Sequence, residues 1–340
     1  MPPGKTTIQD IARELNITAS TVSRALNGHS AISEATKFAV SKTAKKLQYR
    51  HNRIASSLRI GKTKIIGVII PSAEINFFGS VVHGIEKIAN ENDYNVLLYQ
   101  SNEQSDYEKK GIETFLRSRV DGVLASISKE TTDLSHFKEI KKRDVPLILF
   151  DRVNEDLKVP SVVVNDYQGS YNATQHLIDQ GCSRIAHIAG QQHVSIFKQR
   201  LEGYVDALRH NGLRVDENLI RYGSVTIQSG MECMEALMSQ KPDGVFAVED
   251  FTALGAIQAI KAANIKIPDD IAIIGFANES FGKYITPSLS TVDQQTIRMG
   301  ELAANLFFEL SAEKSFYKAN PVKTVLEPVL VFRESSLRKK

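Results

Sequence analysis

Among the 340 residues of the chain, Arg24 is the side chain whose type and setting best suit reading a nucleic acid. An arginine can give two hydrogen bonds to O6 and N7 of guanine. Ala19 and Ser20, one turn earlier, are small enough for a helix to approach base edges closely. Thr18 and Ser33 stand where two helices are expected to begin, so their hydroxyls and the free backbone N–H groups beside them suit phosphate oxygens.

Those residues need a scaffold, and residues 7 to 48 read as three short helices. Thr7 caps the first with Asp10 as capping-box partner, and Ile8, Ile11, Ala12 and Leu15 give it an apolar face. After the turn at Asn16 and Ile17, Thr18 caps a second helix, Ala19 to Leu26, with Val22, Ala25 and Leu26 inward. Asn27-Gly28 ends it. A third helix from Ser33 is expected to place Ala35, Phe38, Ala39, Thr43, Ala44 and Leu47 on the core side and Lys37, Lys42, Lys45 and Lys46 outside. Two short helices around a tight turn, the second with an arginine outside, form the helix-turn-helix arrangement, whose second helix enters the major groove. The alternative is a three-helix bundle with no partner. Charge favours DNA: the first 62 residues hold 11 Lys/Arg against three acids, a balance of +8 in a chain whose total is +3.

From Lys64 the pattern becomes short β-branched runs alternating with amphipathic helices, beginning with Ile65 to Ile70 and restarting after Pro160. This implies an α/β fold of two similar lobes, each a parallel sheet covered by helices. The expected domains are a helix-turn-helix head over 1–50, a basic connector or hinge over 51–62, and a two-lobed body over 63–340. Lobe one is expected over about 63–160 plus 292–322, and lobe two over 161–291 plus 323–340. A β-rich tail, Val325 to Phe332, attaches to neither lobe obviously.

Several function classes are disfavoured. The run Ile65 to Ile70 is far shorter than the roughly 18 residues of a membrane span. The N-terminus lacks a signal-like apolar stretch and the two cysteines, Cys182 and Cys233, show no pairing pattern, so a reduced cytoplasmic protein is expected. Gly61-Lys62-Thr63 looks like the end of a P-loop, but Ser56 stands where its first glycine belongs. The histidines show no metal-ligand spacing and no nucleophile motif is present, so neither an enzyme nor a metal or other cofactor is expected.

An ordered series of motifs resembles the lactose/galactose-repressor (LacI/GalR) family of bacterial regulators. It comprises Thr7-Ile8-Gln9-Asp10-Ile11-Ala12, Thr21-Val22-Ser23-Arg24-Ala25-Leu26-Asn27, Leu47, Tyr49, Asn52-Arg53-Ile54-Ala55 and Leu58. The likeness continues through Ile66-Gly67-Val68-Ile69, Ile274-Gly275-Phe276 and Leu289-Ser290-Thr291-Val292 to Arg333-Glu334-Ser335-Ser336. The resemblance implies a homodimer on pseudo-palindromic double-stranded operator DNA, with Ala19 and Ser20 selecting the operator and Arg24 reading a base. It implies backbone-contacting or packing roles for Asn27 and Tyr49, and places Thr7 and Thr21 with the DNA-contact set. Asn52 to Leu58 matches a hinge that becomes helical on DNA, Ala55 lying in the minor groove and Leu58 wedged between base steps.

For the body the resemblance implies a small-molecule effector held between the lobes: a sugar, a sugar derivative or a nucleobase. Ligands in such folds lie beyond the carboxyl ends of strands. Phe77 and Phe78 follow the first strand and suit stacking on a ring, or a lobe-interface core. Asp151, Arg200 and Gln294 match effector-contact positions of the family. Asp250 is a further candidate whose simpler role is to cap the next helix. After Ile274-Gly275-Phe276 many members carry an aspartate that binds effector hydroxyls; here the chain reads Ala277, Asn278, Glu279, which leaves Asn278 as the neighbouring candidate. A soluble solute-binding protein is the rival reading, opposed by the basic head.

Overall fold

A computed structural model describes residues 6–49, 61–312, 316–317 and 320–338 of the chain. The expected hinge residues Asn52, Ala55 and Leu58 lie outside the described residues. The chain divides into two compact units, Met1–Thr63 and Lys64–Lys340.

The first unit contains α1 (Ile8–Glu14), α2 (Ala19–Leu26) and α3 (Glu34–Lys46). Each starts on a hydroxyl cap: Thr7 forms a full capping box with Asp10, Thr18 accepts from the Thr21 N–H, and Ser33 accepts from the Thr36 N–H. Ile11, Val22 and Val40, one from each helix, are fully buried together, with Ala12, Ala25 and Ala44 filling the gaps. The third helix is rotated from the expected face. Phe38 is 71% exposed and Ala35 is also exposed, while Val40 is buried with Thr43 and Ala44. Val40 lies two residues, or about 200°, around the helix from Phe38, so one helix cannot bury both against the same partners.

In the second unit a six-stranded sheet is built from β1 (Ile65–Ile70), β2 (Asn95–Gln100), β3 (Gly122–Ala125), β4 (Leu147–Phe150), β5 (Ser161–Val164) and β11 (Lys323–Leu326). Its order is β11-β5-β4-β3-β1-β2, with all pairs parallel. It is covered by α4 (Asn76–Glu91), α5 (Ser105–Ser118), α6 (Ser135–Lys142) and α11 (Thr296–Ser311). Strand alternation divides the apolar residues between two cores. Ile66, Val68 and Ile70 face α4 and α11, whereas Ile69 faces α5 and α6 with Phe115 and Phe137.

A second parallel sheet, ordered β7-β6-β8-β9, contains β6 (Ile185–Ala189), β7 (Ile220–Tyr222), β8 (Gly244–Ala247) and β9 (Ala272–Ile274). Its helices are α7 (Asp166–Asp179), α8 (Ser195–His210), α9 (Ile227–Met238) and α10 (Asp250–Ala262). Neither β7 nor α9 is anticipated by the sequence pattern. β10 (Thr291–Asp293) and β12 (Val329–Val331) form a separate antiparallel pair.

The lobe boundaries therefore differ from the expectation. β5 and β11, expected in lobe two, are the outer strands of the first sheet, where Lys323 pairs with Ser161 and Leu149 pairs with Ser161 on its other side. Only from α7 onward does the chain enter the second lobe.

Helix pairs cross at glycines. A Cβ on Gly84 of α4 would strike the Ile297 carbonyl oxygen of α11, and one on Gly300 of α11 would strike the Val81 carbonyl oxygen of α4. Among the described residues no helix is long and apolar enough to cross a membrane.

Candidate nucleic-acid interface and interlobe cleft

The cap and core of the first unit leave one side of α2 uncovered. Ala19, Ser20, Arg24 and Asn27 are exposed, and so are Thr7, Thr18 and Ser33 at helix starts. The Arg24 carbonyl accepts from the His29 N–H, but among the described residues nothing hydrogen-bonds or ion-pairs with its guanidinium, which is available to a partner. The Thr18 hydroxyl also meets those of Ser20 (2.8 Å) and Thr21 (2.9 Å), which fixes the first turn of α2. The Asn27 side-chain amide donates to the Ser23 carbonyl at 2.6 Å and closes the helix. Thr21 and Tyr49 are half-buried, Tyr49 against the three-helix core, so packing is the visible role of that tyrosine.

In the body, the ends of β1, β4, β8 and β9 and the start of α11 meet around an inner cavity of about 80 Å³. Phe77, Phe78, Asp151, Arg200 and Gln294 all line it. It shares Lys129, Asp151, Arg152 and Ile196 with a wider opening of about 720 Å³. Phe77 and Phe78 meet edge to face at 5.0 Å and form one wall.

Asp151 adopts a left-handed backbone, φ 59°, directly after β4, a conformation that costs a non-glycine residue energy and is often found at ligand sites. Its carboxylate accepts from Ser126 at 3.1 Å, and burial raises its pKa against the pull of Arg152 and Arg200. On the opposite side Arg200, 2% exposed, donates through Nε to Asp166 (2.7 Å) and through its terminal nitrogens to the Val248 carbonyl (2.7 Å) and Gln294 Oε1 (3.4 Å). Its guanidinium carbon lies 3.6 Å from the Phe276 ring centroid. Burial pushes Asp166 up to about 6 despite Arg200.

Two candidates fall elsewhere. Asp250 does not border the cavity: its carboxylate accepts from the Thr291 hydroxyl (2.7 Å) and the Glu279 N–H (2.7 Å). Its neighbour Glu249 borders the cavity and caps α10, accepting from the Phe251 N–H at 3.0 Å. Glu249 and Asp250 diverge here, the first toward the cavity and the second toward Thr291 and the Glu279 N–H. Asn278 is likewise engaged away from the cavity, with Thr291, Asp293 and Arg333.

Sequence reasoning missed Arg152, Glu103, Glu249, Phe197 and Phe251, all of which line the cavity. Arg152 reaches both Glu103 carboxylate oxygens at 2.8 Å and lies 5.6 Å from the Phe78 ring. Arg152 and Glu249 each stand two residues beyond the end of a strand, β4 and β8, and that placement is the signal that could have found them. Ala277, at φ 124°, presents only a methyl group to the cavity.

Comparison with known proteins agrees with both units. Residues 7–52 match the family described as bacterial regulatory proteins, lacI family, and residues 63–310 match periplasmic binding proteins and sugar binding domain of LacI family. The chain is 32% identical to the HTH-type transcriptional regulator RegA of Clostridium saccharobutylicum, over 98% of this chain and 99% of that protein. It is 34% identical to catabolite control protein A of Priestia megaterium, over 88% and 91%. Among solved structures, a transcriptional regulator CelR–cellobiose complex superposes with a TM-score of 0.73 at 29% identity, covering 97% of this chain and all of that one.

Proposed function

The chain belongs to the LacI family of bacterial regulatory proteins, and from that premise we propose that it is a transcriptional repressor working as a homodimer on a pseudo-palindromic operator. One helix-turn-helix reads only a half-site, so two-fold symmetry in the protein should be mirrored in the DNA. The observation that carries the reading is the uncovered side of α2, where Arg24 is exposed beside the small residues Ala19 and Ser20. Thr7, Thr18, Thr21, Asn27 and Ser33 support the dock on phosphate with Tyr49 packed behind them, and Asn52, Ala55 and Leu58 supply the hinge and minor-groove wedge. The protein acts in the cytoplasm, where the operator is.

The inner cavity takes the effector. Phenylalanine rings suit a sugar or base ring, while Asp151, Gln294 and Arg152 supply hydrogen-bonding groups from several sides. The wider opening accommodates whatever extends from that ring. CelR, whose structure holds cellobiose, supports a carbohydrate first. No catalysis is assigned to the cleft: its acids are engaged with arginines, backbone N–H groups and hydroxyls.

Enrichment of random duplexes on the full chain should yield a two-fold symmetric sequence, and an asymmetric or featureless pool refutes the dimeric operator. A thermal-shift screen of sugars, sugar phosphates and nucleobases should identify a ligand that also changes operator affinity. A ligand at a hundred times its Kd adds about 2.7 kcal/mol of apparent stability. A panel without effect favours an architectural DNA binder.

A further inference from the structure

We infer that Glu279 is a positioning residue that fixes the closed register of the two lobes by capping, from the second lobe, the helix that carries the aromatic wall of the first. The residue preceding α4, Ile75, offers no side-chain cap, so the first N–H groups of that helix need acceptors from elsewhere. Glu279, on the loop after β9 and 2% exposed, supplies one: its Oε1 accepts from the Phe77 N–H at 3.1 Å, across 202 residues of sequence. The Asn76 N–H points to the same carboxylate.

The backbone of Glu279 is itself held. Glu279 donates its N–H to Asp250 Oδ2 at 2.7 Å, and Asp250 Oδ1 accepts from the Thr291 hydroxyl at 2.7 Å. Among the described residues no cation pairs with Glu279, so the helix N-terminus compensates its burial. A hydrogen bond of this length is lost when the partners separate by about an ångström. The contact therefore forms only when the lobes meet in one register, and Phe77 and Phe78 are then presented to the cavity.

The inference concerns the cleft proposed above as the effector site, but its test needs no effector, so the failure of one leaves the other standing. Spin labels at Glu86→Cys and Glu235→Cys, one on each lobe of the full chain in a Cys233→Ser background, report the interlobe distance, and hydrogen exchange reports the Phe77 amide. Glu279→Ala should add a longer-distance population and speed Phe77 exchange about tenfold or more, the size expected for loss of a charged hydrogen bond. Glu279→Gln keeps an acceptor oxygen and should restore most of the short-distance population, which rescues the experiment if the alanine variant folds poorly. An unchanged distance distribution in both variants overturns the inference, and so does faster exchange in Glu279→Ala without a change in distance, because the cap is then only local.

Discussion

Arg200 and Asp166 form a buried ion pair in which Nε and a terminal nitrogen of the guanidinium approach the same carboxylate oxygen, at 2.7 and 2.6 Å. With Val248 and Gln294 also engaged, one N–H of the five remains uncommitted. Arg200 is thus a structural hub that joins Asp166, Val248 and Gln294.

Removing it should reveal that role. Arg200→Ala leaves Asp166 buried without its partner and should cost about 3 to 5 kcal/mol of stability, lowering Tm with or without effector. Gln294→Ala should lose effector response with a much smaller Tm change. Denaturant unfolding and effector titration of both variants check this; equal stability of Arg200→Ala and wild type would contradict the hub.

On DNA, Arg24→Ala should cost about 1 to 3 kcal/mol at the cognate operator and relax preference at one base pair. Exchanging Ala19 and Ser20 for other small or amide side chains should change which operator is preferred, with stability altered by less than about 0.5 kcal/mol, since both side chains are exposed. Affinities on cognate and random duplexes at one salt concentration decide the matter. An equal loss on both duplexes for Arg24→Ala removes the base-reading role.

Burial beside Asp250 pushes Glu249 up to about 8. The folded state therefore holds a proton that the unfolded chain, with an ordinary carboxyl near 4.5, has released. Stability from this group is present below that ordinary value and declines as pH rises between about 4.5 and 8. Glu249→Gln should flatten the fall of Tm across that window. A slope unchanged by the substitution assigns the proton elsewhere.

Ala277 sits at φ 124°, a backbone region open mainly to glycine. Ala277→Gly should therefore raise stability by about 1 kcal/mol even though glycine usually lowers it. Chemical denaturation midpoints at constant slope measure it, and a destabilised variant counts against strain at this position.

The head was legible because each helix announces itself with a hydroxyl cap, and Thr7, Thr18 and Ser33 all function as caps. Phe38 misled because hydrophobicity alone does not set the phase of a helix; burial of Val40 with Ile11 and Val22 does. In the body, β-branched runs marked most strands, but the three residues of β7 are too short for an alternation to register. The affiliation of β11 was illegible because it is decided by pairing with β5, some 160 residues earlier in the chain. Arg200 and Asp151 were visible as cleft residues. The partners of Arg200 were not, since Asp166, Val248 and Gln294 converge only through the fold. The contact of Glu279 with Phe77 is non-local for the same reason.

The reciprocal glycines of α4 and α11 have a mechanical consequence. With Gly84 and Gly300 each seated against the other helix's carbonyl, the pair has little room to slide or roll and behaves as one stiff plate. That plate has two prongs: Phe77, gripped by Glu279, and Gln294, gripped by Arg200, two residues before α11 begins. A push on either prong is delivered to the other by rigid-body rotation, without a relay of rearranging loops. A methyl group at either glycine would wedge the plate apart and separate the two prongs' movements.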